Sequence, residues 1–332
     1  MKVSDLGEKR LIKRIIANIK LHLKDFNIKG LGDDAALIDM GKEYIVATTD
    51  LLRQTSHFPK AMTHEQMGWK SVTVNISDLA AMGAEPVGFL VSMGLPVHMK
   101  VEEFDELLRG ILKACNHYKI PLIGGDTKEA DEIILAGAAI GRTLKEDALL
   151  KSGSRDGDLV GVTGQLGLAA AGIKILLHNI KETPLADDIL SKIMDHALKP
   201  KARLKEAIIL AKSHLVNAAT DITDGLVSEL NELINATPNN IGIRLYEEKL
   251  PIPKEVEDIA KLIGEDPLEL GIYYGEDFEL LFTIPPGNVI PLRDQLDFHI
   301  IGEVTKTGTI EIVDKEGRTY IPPVKGYEHL RG

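Results

Sequence analysis

The stretch THEQMGWKSVTVNISDLAAMGAEPVGFLVSM, residues 63–93, decides the fold. Thr63 is an N-cap type with Glu65 in the first turn after it, and the pattern behind them predicts a helix over Thr63–Leu79. The apolar run Val87–Met93 predicts a strand, and YIVAT at 44–48 predicts another before the helix. Further out, Glu8–Leu23 carries Leu11, Ile12, Ile15, Ile16 and Ile19 at amphipathic helical spacing. Val101–Tyr118 does the same with Leu107, Leu108, Ile111 and Leu112, and Ile120–Ile123 and Ile133–Ile140 read as strands. The polar, turn-rich segment Thr143–Asp158 marks a boundary between residues 1–145 and 146–332.

Beyond it, Leu159–Thr163, Val216–Thr220, Phe278–Ile284 and His299–Val304 read as strands, and Ile310–Tyr320 as a hairpin turning at Asp314–Gly317. Helices are predicted over Ala186–Leu198 and Ala202–His214, parted by Lys199-Pro200, and over Leu226–Ile234. Helices and strands alternate in two parts, an α/β pattern.

The 332 residues suffice for about two domains. With 39 basic and 50 acidic residues the formal charge is −11, which argues against binding a nucleic-acid backbone. The nearly uncharged stretches Pro86–His98 and Ile133–Gly141 fall well short of the ~20 apolar residues of a membrane span. The start, MKVSDLGEKRLIKRI, lacks the apolar core of a signal peptide, so a cytoplasmic location is expected. A single cysteine, Cys115, excludes an internal disulfide framework and a Cys-rich zinc site.

Asp33-Asp34, Asp50, Asp78, Asp126, Asp221 and Asp224 each lie at or near the end of an apolar element, beside Gly, Thr or Ser. One such Asp is explained by the backbone N–H groups it caps. Several converging on one rim would repel by about 4 kcal/mol per close pair at an effective dielectric near 20, unless cations sat between them. Oxygen-only ligands with the nearby hydroxyls of Thr48, Thr49, Ser77 and Thr223 suit Mg²⁺, which commonly also holds substrate phosphates. Gly124-Gly125 before Asp126 would let a phosphate approach the backbone. Gly161-Val-Thr-Gly164-Gln-Leu-Gly167 is either an anion-holding helix start or a tight strand–helix turn, and its spacing is not that of a dinucleotide fingerprint. There is no P-loop, no protein-kinase motif set, no zincin motif (Gly68 stands where the second histidine would fall) and no G-x-S-x-G elbow.

Taken together, Gly32-Asp-Asp-Ala-Ala36, Thr48-Thr-Asp50, His57-Phe58, Asn75–Ala84, Ile123-Gly-Gly-Asp-Thr127, Ser152-Gly153, Asp221–Leu226, Tyr274–Thr283 and Lys325-Gly-Tyr327 closely resemble the thiamine-monophosphate kinases. These belong with aminoimidazole ribonucleotide synthetase in one superfamily. The resemblance implies a two-domain α+β / α/β fold, with an N-terminal α+β domain forming a homodimer through its sheet and a C-terminal α/β domain packed beside it. It implies ATP-dependent phosphorylation of thiamine monophosphate to thiamine diphosphate, by direct in-line transfer with several Mg²⁺ ions. No covalent nucleophile or general base is expected, because the attacking phosphate oxygen is already ionised.

Carried over, Asp34, Thr48, Thr49, Asp50, Asp78, Asp126, Asp221 and Asp224 would ligate metal. Gly125, Asp126, Lys151 and Thr223 would contact ATP, and His57, Glu276 and Tyr327 would contact thiamine monophosphate. Lys151 stands where the family usually has Arg, Ala202 where it usually has a second Pro, and Val324 where an aromatic often precedes Lys-Gly-Tyr. The alternatives are a sister ATP-dependent synthetase and a non-catalytic ATP- or cation-binding protein. Neither a nucleic acid nor a membrane is an expected partner.

Overall fold

The computed structural model of the chain describes residues 2–22, 28–180, 183 and 185–324. In its first half, helix α1 (Glu8–His22) precedes strands β1 (Ile28–Lys29), β2 (Ala36–Asp39) and β3 (Glu43–Arg53). The short helix α2 (Gln54–His57), helix α3 (His64–Ala81), β4 (Glu85–Leu95), α4 (Val101–Tyr118), β5 (Leu122–Glu129) and β6 (Ile134–Leu144) follow. The second half begins β7 (Leu159–Val162), α5 (Leu168–Leu177), α6 (Asp187–Leu198), α7 (Leu204–Ser213), β8 (Ala218–Asp221) and α8 (Leu226–Ala236). It continues β9 (Gly242–Tyr246), α9 (Lys254–Ile263), α10 (Pro267–Tyr273), β10 (Leu280–Ile284), α11 (Val289–Arg293), β11 (His299–Thr305), β12 (Ile310–Val313) and β13 (Thr319–Tyr320).

Among the described residues the strands form two mixed sheets, ordered β1-β2-β3-β6-β4-β5 and β13-β12-β9-β11-β7-β10-β8. Each is antiparallel except for one parallel pair, β4 with β5 and β9 with β12. Leu37, Val46, Ile76, Leu79 and Phe89 are in the first core, and Val160, Leu230, Ile243, Leu281 and Ile301 in the second.

Helix α3 belongs to both halves. Thr63 caps it, but the capping-box partner is Gln66: Thr63 Oγ1 accepts from Gln66 N at 3.2 Å, and Gln66 Oε1 accepts from Thr63 N at 2.9 Å. Glu65 instead pairs with Lys113 of α4 at 2.7 Å. From Met67 to Ser77 every residue is buried, so the helix has no solvent stripe. Ala80 packs with Leu149, Leu210 and Phe282 of the second half, and Trp69 Nε1 donates to Pro200 O at 2.6 Å. Two glycines bring α3 and α4 together. A Cβ on Gly68 would stand 2.1 Å from Leu107 O, and one on Gly110 would stand 1.9 Å from Glu65 O.

Two strands run further than their apolar cores suggest. The strand holding 44–48 continues to Arg53, with Asp50 opposite Gly137 of β6, so Asp50 lies inside a strand. Likewise β5 runs through Gly124-Gly125-Asp126 alongside β4 rather than ending before it. The reason is the ladder: a partner strand satisfies backbone groups whatever the side chains are. Gly125 lacks a Cβ because Val91 O would lie 1.9 Å from it, a strand-packing demand within the chain itself.

Gly110→Ala should cost ~1–3 kcal/mol or more through overpacking against backbone, read as a lowered urea midpoint. Gly287→Ala, where nothing lies within 4 Å, should leave the midpoint nearly unchanged. Equal midpoints for the two variants would contradict the close α3–α4 crossing.

Candidate functional site

The ends of four elements meet beside the middle of β3. Strand alternation sends Thr48 and Asp50 to one face, toward α3. On α3, Asp78 Oδ2 accepts from Thr48 Oγ1, and Asn75 Oδ1 accepts from Asp50 N at 3.3 Å. Ser77 Oγ donates to Asp221 Oδ2 at the end of β8. The loop before β2 brings Asp34, whose Oδ1 accepts from Thr220 Oγ1 at 3.1 Å and pairs with Lys151 Nζ at 2.8 Å. Lys151 also reaches Glu232 of α8, and its backbone N donates to Asp33 Oδ1 at 3.1 Å. Asp224 opens the loop into α8, where its N donates to Glu229 Oε1 at 3.2 Å.

These carboxylates disturb one another. Burial, then Asp34, pushes the Asp221 carboxyl up to about 7. Burial, then Asp224, lifts Asp50 to about 6, and burial with Asp34 lifts Asp33 to about 6. Asp78 is raised well above the carboxylate range by burial and by Asp50 and Asp221. Buried Glu229 is raised likewise, by burial and then Glu232. Burial lowers the Lys151 ammonium, but Asp34, Glu232 and Glu229 outweigh it and hold the pKa well above its ordinary value. Among the described residues no three carboxylates or imidazoles form a finished metal cage. The inner oxygens are taken up by Lys151 and by the Thr48 and Ser77 hydroxyls, and Asp34 Oδ2 is buried with no hydrogen-bond partner.

Of the residues singled out in the sequence, Asp34, Thr48, Asp50, Asp78, Lys151, Asp221 and Asp224 come together here. The Thr49 hydroxyl does not: it faces the other side of β3 and donates to Gly137 O at 2.7 Å. Asp126 does not either. It sits on the edge strand, three inter-strand steps of about 4.8 Å from β3, with a largely exposed side chain 3.6 Å from Lys128. Gly125 lies beside it on the same edge. Tyr327 lies outside the described residues. Glu229 and Glu232, which the sequence reading passed over, join the cluster from one face of α8. Their i, i+3 spacing after the Asp-Gly loop was the available signal.

A second group adjoins the first. The turn Tyr274–Glu279 lies on the loop that carries Asp221 and Asp224. Glu276 N donates to Thr223 O at 2.9 Å and Phe278 N to Ile222 O at 3.0 Å. Gly275 is obligatory, because a Cβ there would stand 1.6 Å from Thr223 O. Glu276, at φ +68, meets buried Lys70 Nζ at 2.5 Å, and that ammonium also donates to His57 O at 2.9 Å. His57 Nδ1 accepts from Arg53 N at 3.0 Å, so the neutral ring carries its proton on Nε2. The start of α5, a candidate anion site in the sequence, already holds an internal carboxylate: Gly167 N donates to Asp277 Oδ2 at 2.9 Å.

Known proteins place these features in a class. Residues 32–143 match the family model described as AIR synthase related protein, N-terminal domain, and residues 155–315 match its C-terminal counterpart. The fold is therefore that of a two-domain AIR synthase related protein. The chain is 38% identical over 314 residues to the thiamine-monophosphate kinase of Pyrococcus horikoshii, covering 95% of each. It is 33% identical over 330 residues to that of Aquifex aeolicus, covering 99% of this chain and 100% of the relative. A solved complex of AaThiL with AMPPCP and TMP superposes with a TM-score of 0.86 at 31% identity, over 99% of both chains. The chain belongs to the thiamine-monophosphate kinase family.

Burial, opposed by N–H donation from Gly167, pushes Asp277 up to about 8. A carboxyl whose pKa is higher folded than unfolded (about 3.9) binds its proton more tightly in the folded chain. Its stabilising contribution is full below about pH 4 and lost as the pH rises toward 8. Asp277→Asn keeps an acceptor and cannot ionise, so its urea midpoint should rise relative to wild type on going from pH 5 to pH 8. No relative change between pH 5 and pH 8 would show that the α5 N-terminus holds the carboxylate ionised.

Proposed function

We propose that the chain transfers the γ-phosphoryl group of ATP to the phosphate of thiamine monophosphate, giving thiamine diphosphate and ADP. The observation that carries this is the convergence of Asp34, Asp50, Asp78, Asp221 and Asp224 beside Lys151, with Asp34 Oδ2 unpartnered. An all-oxygen set of mutually raised, buried carboxylates fits Mg²⁺. Bound there, Mg²⁺ would offset the charge of two polyanions brought end to end. The superposition on a complex holding AMPPCP, in which a methylene blocks β–γ cleavage, together with TMP supports the same pairing of substrates.

The residues divide the work. Asp34, Thr48, Asp50, Asp78, Asp221 and Asp224 hold the metal-binding rim. Lys151 is to exchange its contacts with Asp34 and Glu232 for nucleotide phosphate, as a point charge rather than a fork. Thr223, between Asp221 and Asp224, contacts the nucleotide. His57 and Glu276 receive the acceptor, joined by Tyr327. Because the acceptor oxygen is already ionised, the protein needs to align it in line with the γ-phosphorus and needs no general base.

Thr49, Gly125 and Asp126 join this site through the homodimer we assign to the N-terminal unit, residues 1–145. The edge strand β5 and exposed Leu51 and Ile123 offer a surface for it, and residues 146–332 form the second unit. No helix among the described residues is long and apolar enough to cross a membrane, and we place the protein in the cytoplasm.

Incubation with ATP, Mg²⁺ and thiamine monophosphate, with products identified by mass, should give thiamine diphosphate and equimolar ADP, and neither with chelator. Asp78→Asn should lower kcat by ~10²-fold or more without loss of folding. ADP with free phosphate and no thiamine diphosphate would favour a sister synthetase. No ADP at all would favour a silent binder.

A further inference from the structure

We infer that Lys70 is a positioning residue, one buried ammonium that holds His57 and Glu276 in register for the acceptor. This rests on the function proposed above. Lys70 stands in the first half of α3 and is 1% exposed, among the largest fully buried side chains of the protein. A buried ammonium is costly unless it is paired and hydrogen-bonded, and an apolar side chain of similar shape often serves stability as well or better. Its presence is explained by what it grips.

The two acceptors come from distant places. His57 ends α2, and Glu276 sits in the turn before β10, 206 positions along the chain from Lys70. No backbone ladder joins these two segments, so the ammonium is a direct tie between them. It grips the His57 carbonyl, which leaves the imidazole to point elsewhere, with Nδ1 fixed by Arg53 N and Ser56 Oγ. It grips Oε1 of Glu276 alone. Oε2 receives no hydrogen bond from the described residues, and the Glu276 side chain keeps 29% exposure where Lys70 keeps 1%.

Glu276 is therefore anchored by one oxygen, and the other is left for a ligand. Its backbone is held at φ +68 by the Thr223 carbonyl, a conformation that persists only where the surroundings over-determine it. One point charge thus sets the separation of an imidazole and a carboxylate from different halves of the protein. Among the described residues no hydrogen bond joins Lys70 to the carboxylate rim, so acceptor placement and nucleotide placement are held by separate parts of α3.

The test is steady-state kinetics of the full chain carrying Lys70→Met, alone and with Glu276→Gln, alongside urea midpoints. Lys70→Met should raise KM for thiamine monophosphate about 10²-fold, the loss expected from misplacing a substrate contact, and leave KM for ATP unchanged. In the Glu276→Gln background the same substitution should have a much smaller effect, because both changes act on one contact. Lys70→Arg, which keeps the charge, should recover part of the loss. If Lys70→Met does not fold, Lys70→Gln is read in its place. A parallel rise in both KM values, or effects that add in the double variant, would reduce Lys70 to a structural residue and overturn the inference. A wild-type protein that makes no thiamine diphosphate would overturn the functional reading, and this inference with it.

Discussion

Helix α3 must be buried on every side and still deliver polar groups to fixed places, and the rest of the structure depends on how that is met. Apolar positions alone would seat the helix in many rotations. Here Trp69 Nε1 on Pro200 O, Lys70 on Glu276 and His57 O, Asn75 on Asp50 N and Ser77 on Asp221 each admit one rotation only. Buried polar groups cost free energy when unpaired, so these contacts specify the register more than they add stability. Gly68 and Gly110 then let α4 approach closely enough to cover the helix.

Once α3 is seated, the charge arrangement follows. Asp78 is carried to within the influence of Asp50 and Asp221, and the loops from both halves add Asp34 and Asp224. In a chain of net charge −11, such a cluster is tolerated by raising carboxyl pKa values and by placing Lys151 at its edge. The ammonium and two hydroxyls act as internal stand-ins for external cations. That explains how so acidic a cluster can fold with no external cation among its carboxylates.

Much of this was legible. The helix of residues 63–79 and that of Val101–Tyr118 were readable because capping signals and apolar spacing act locally. Aspartates at element ends pointed to a shared rim, and five of the six sites converge there. What escaped notice was set at a distance. Asp50 and Asp126 lie inside strands because β6 and β4 pair with them, which no local pattern records. Strand β9 was missed because Arg244 breaks its apolar run, and Arg244 is answered by Glu311 on the neighbouring strand. Helices α9 and α10 were likewise passed over, although Pro at the start of α10 and Gly264 after α9 are ordinary signals. Lys70 reads as a solvent-facing residue until its partner 206 positions away is known.

If the proposed function holds, the carboxylate cluster takes up nucleotide only through divalent cations. The most direct measurement is the thermal midpoint of the full chain at constant AMPPCP as Mg²⁺ is titrated, since a ligand that binds the folded state alone raises the midpoint. AMPPCP should give no stabilisation under chelator, a midpoint that climbs with Mg²⁺ in wild type, and a flat response in Asp50→Asn. Equal stabilisation by AMPPCP with and without Mg²⁺ would contradict it.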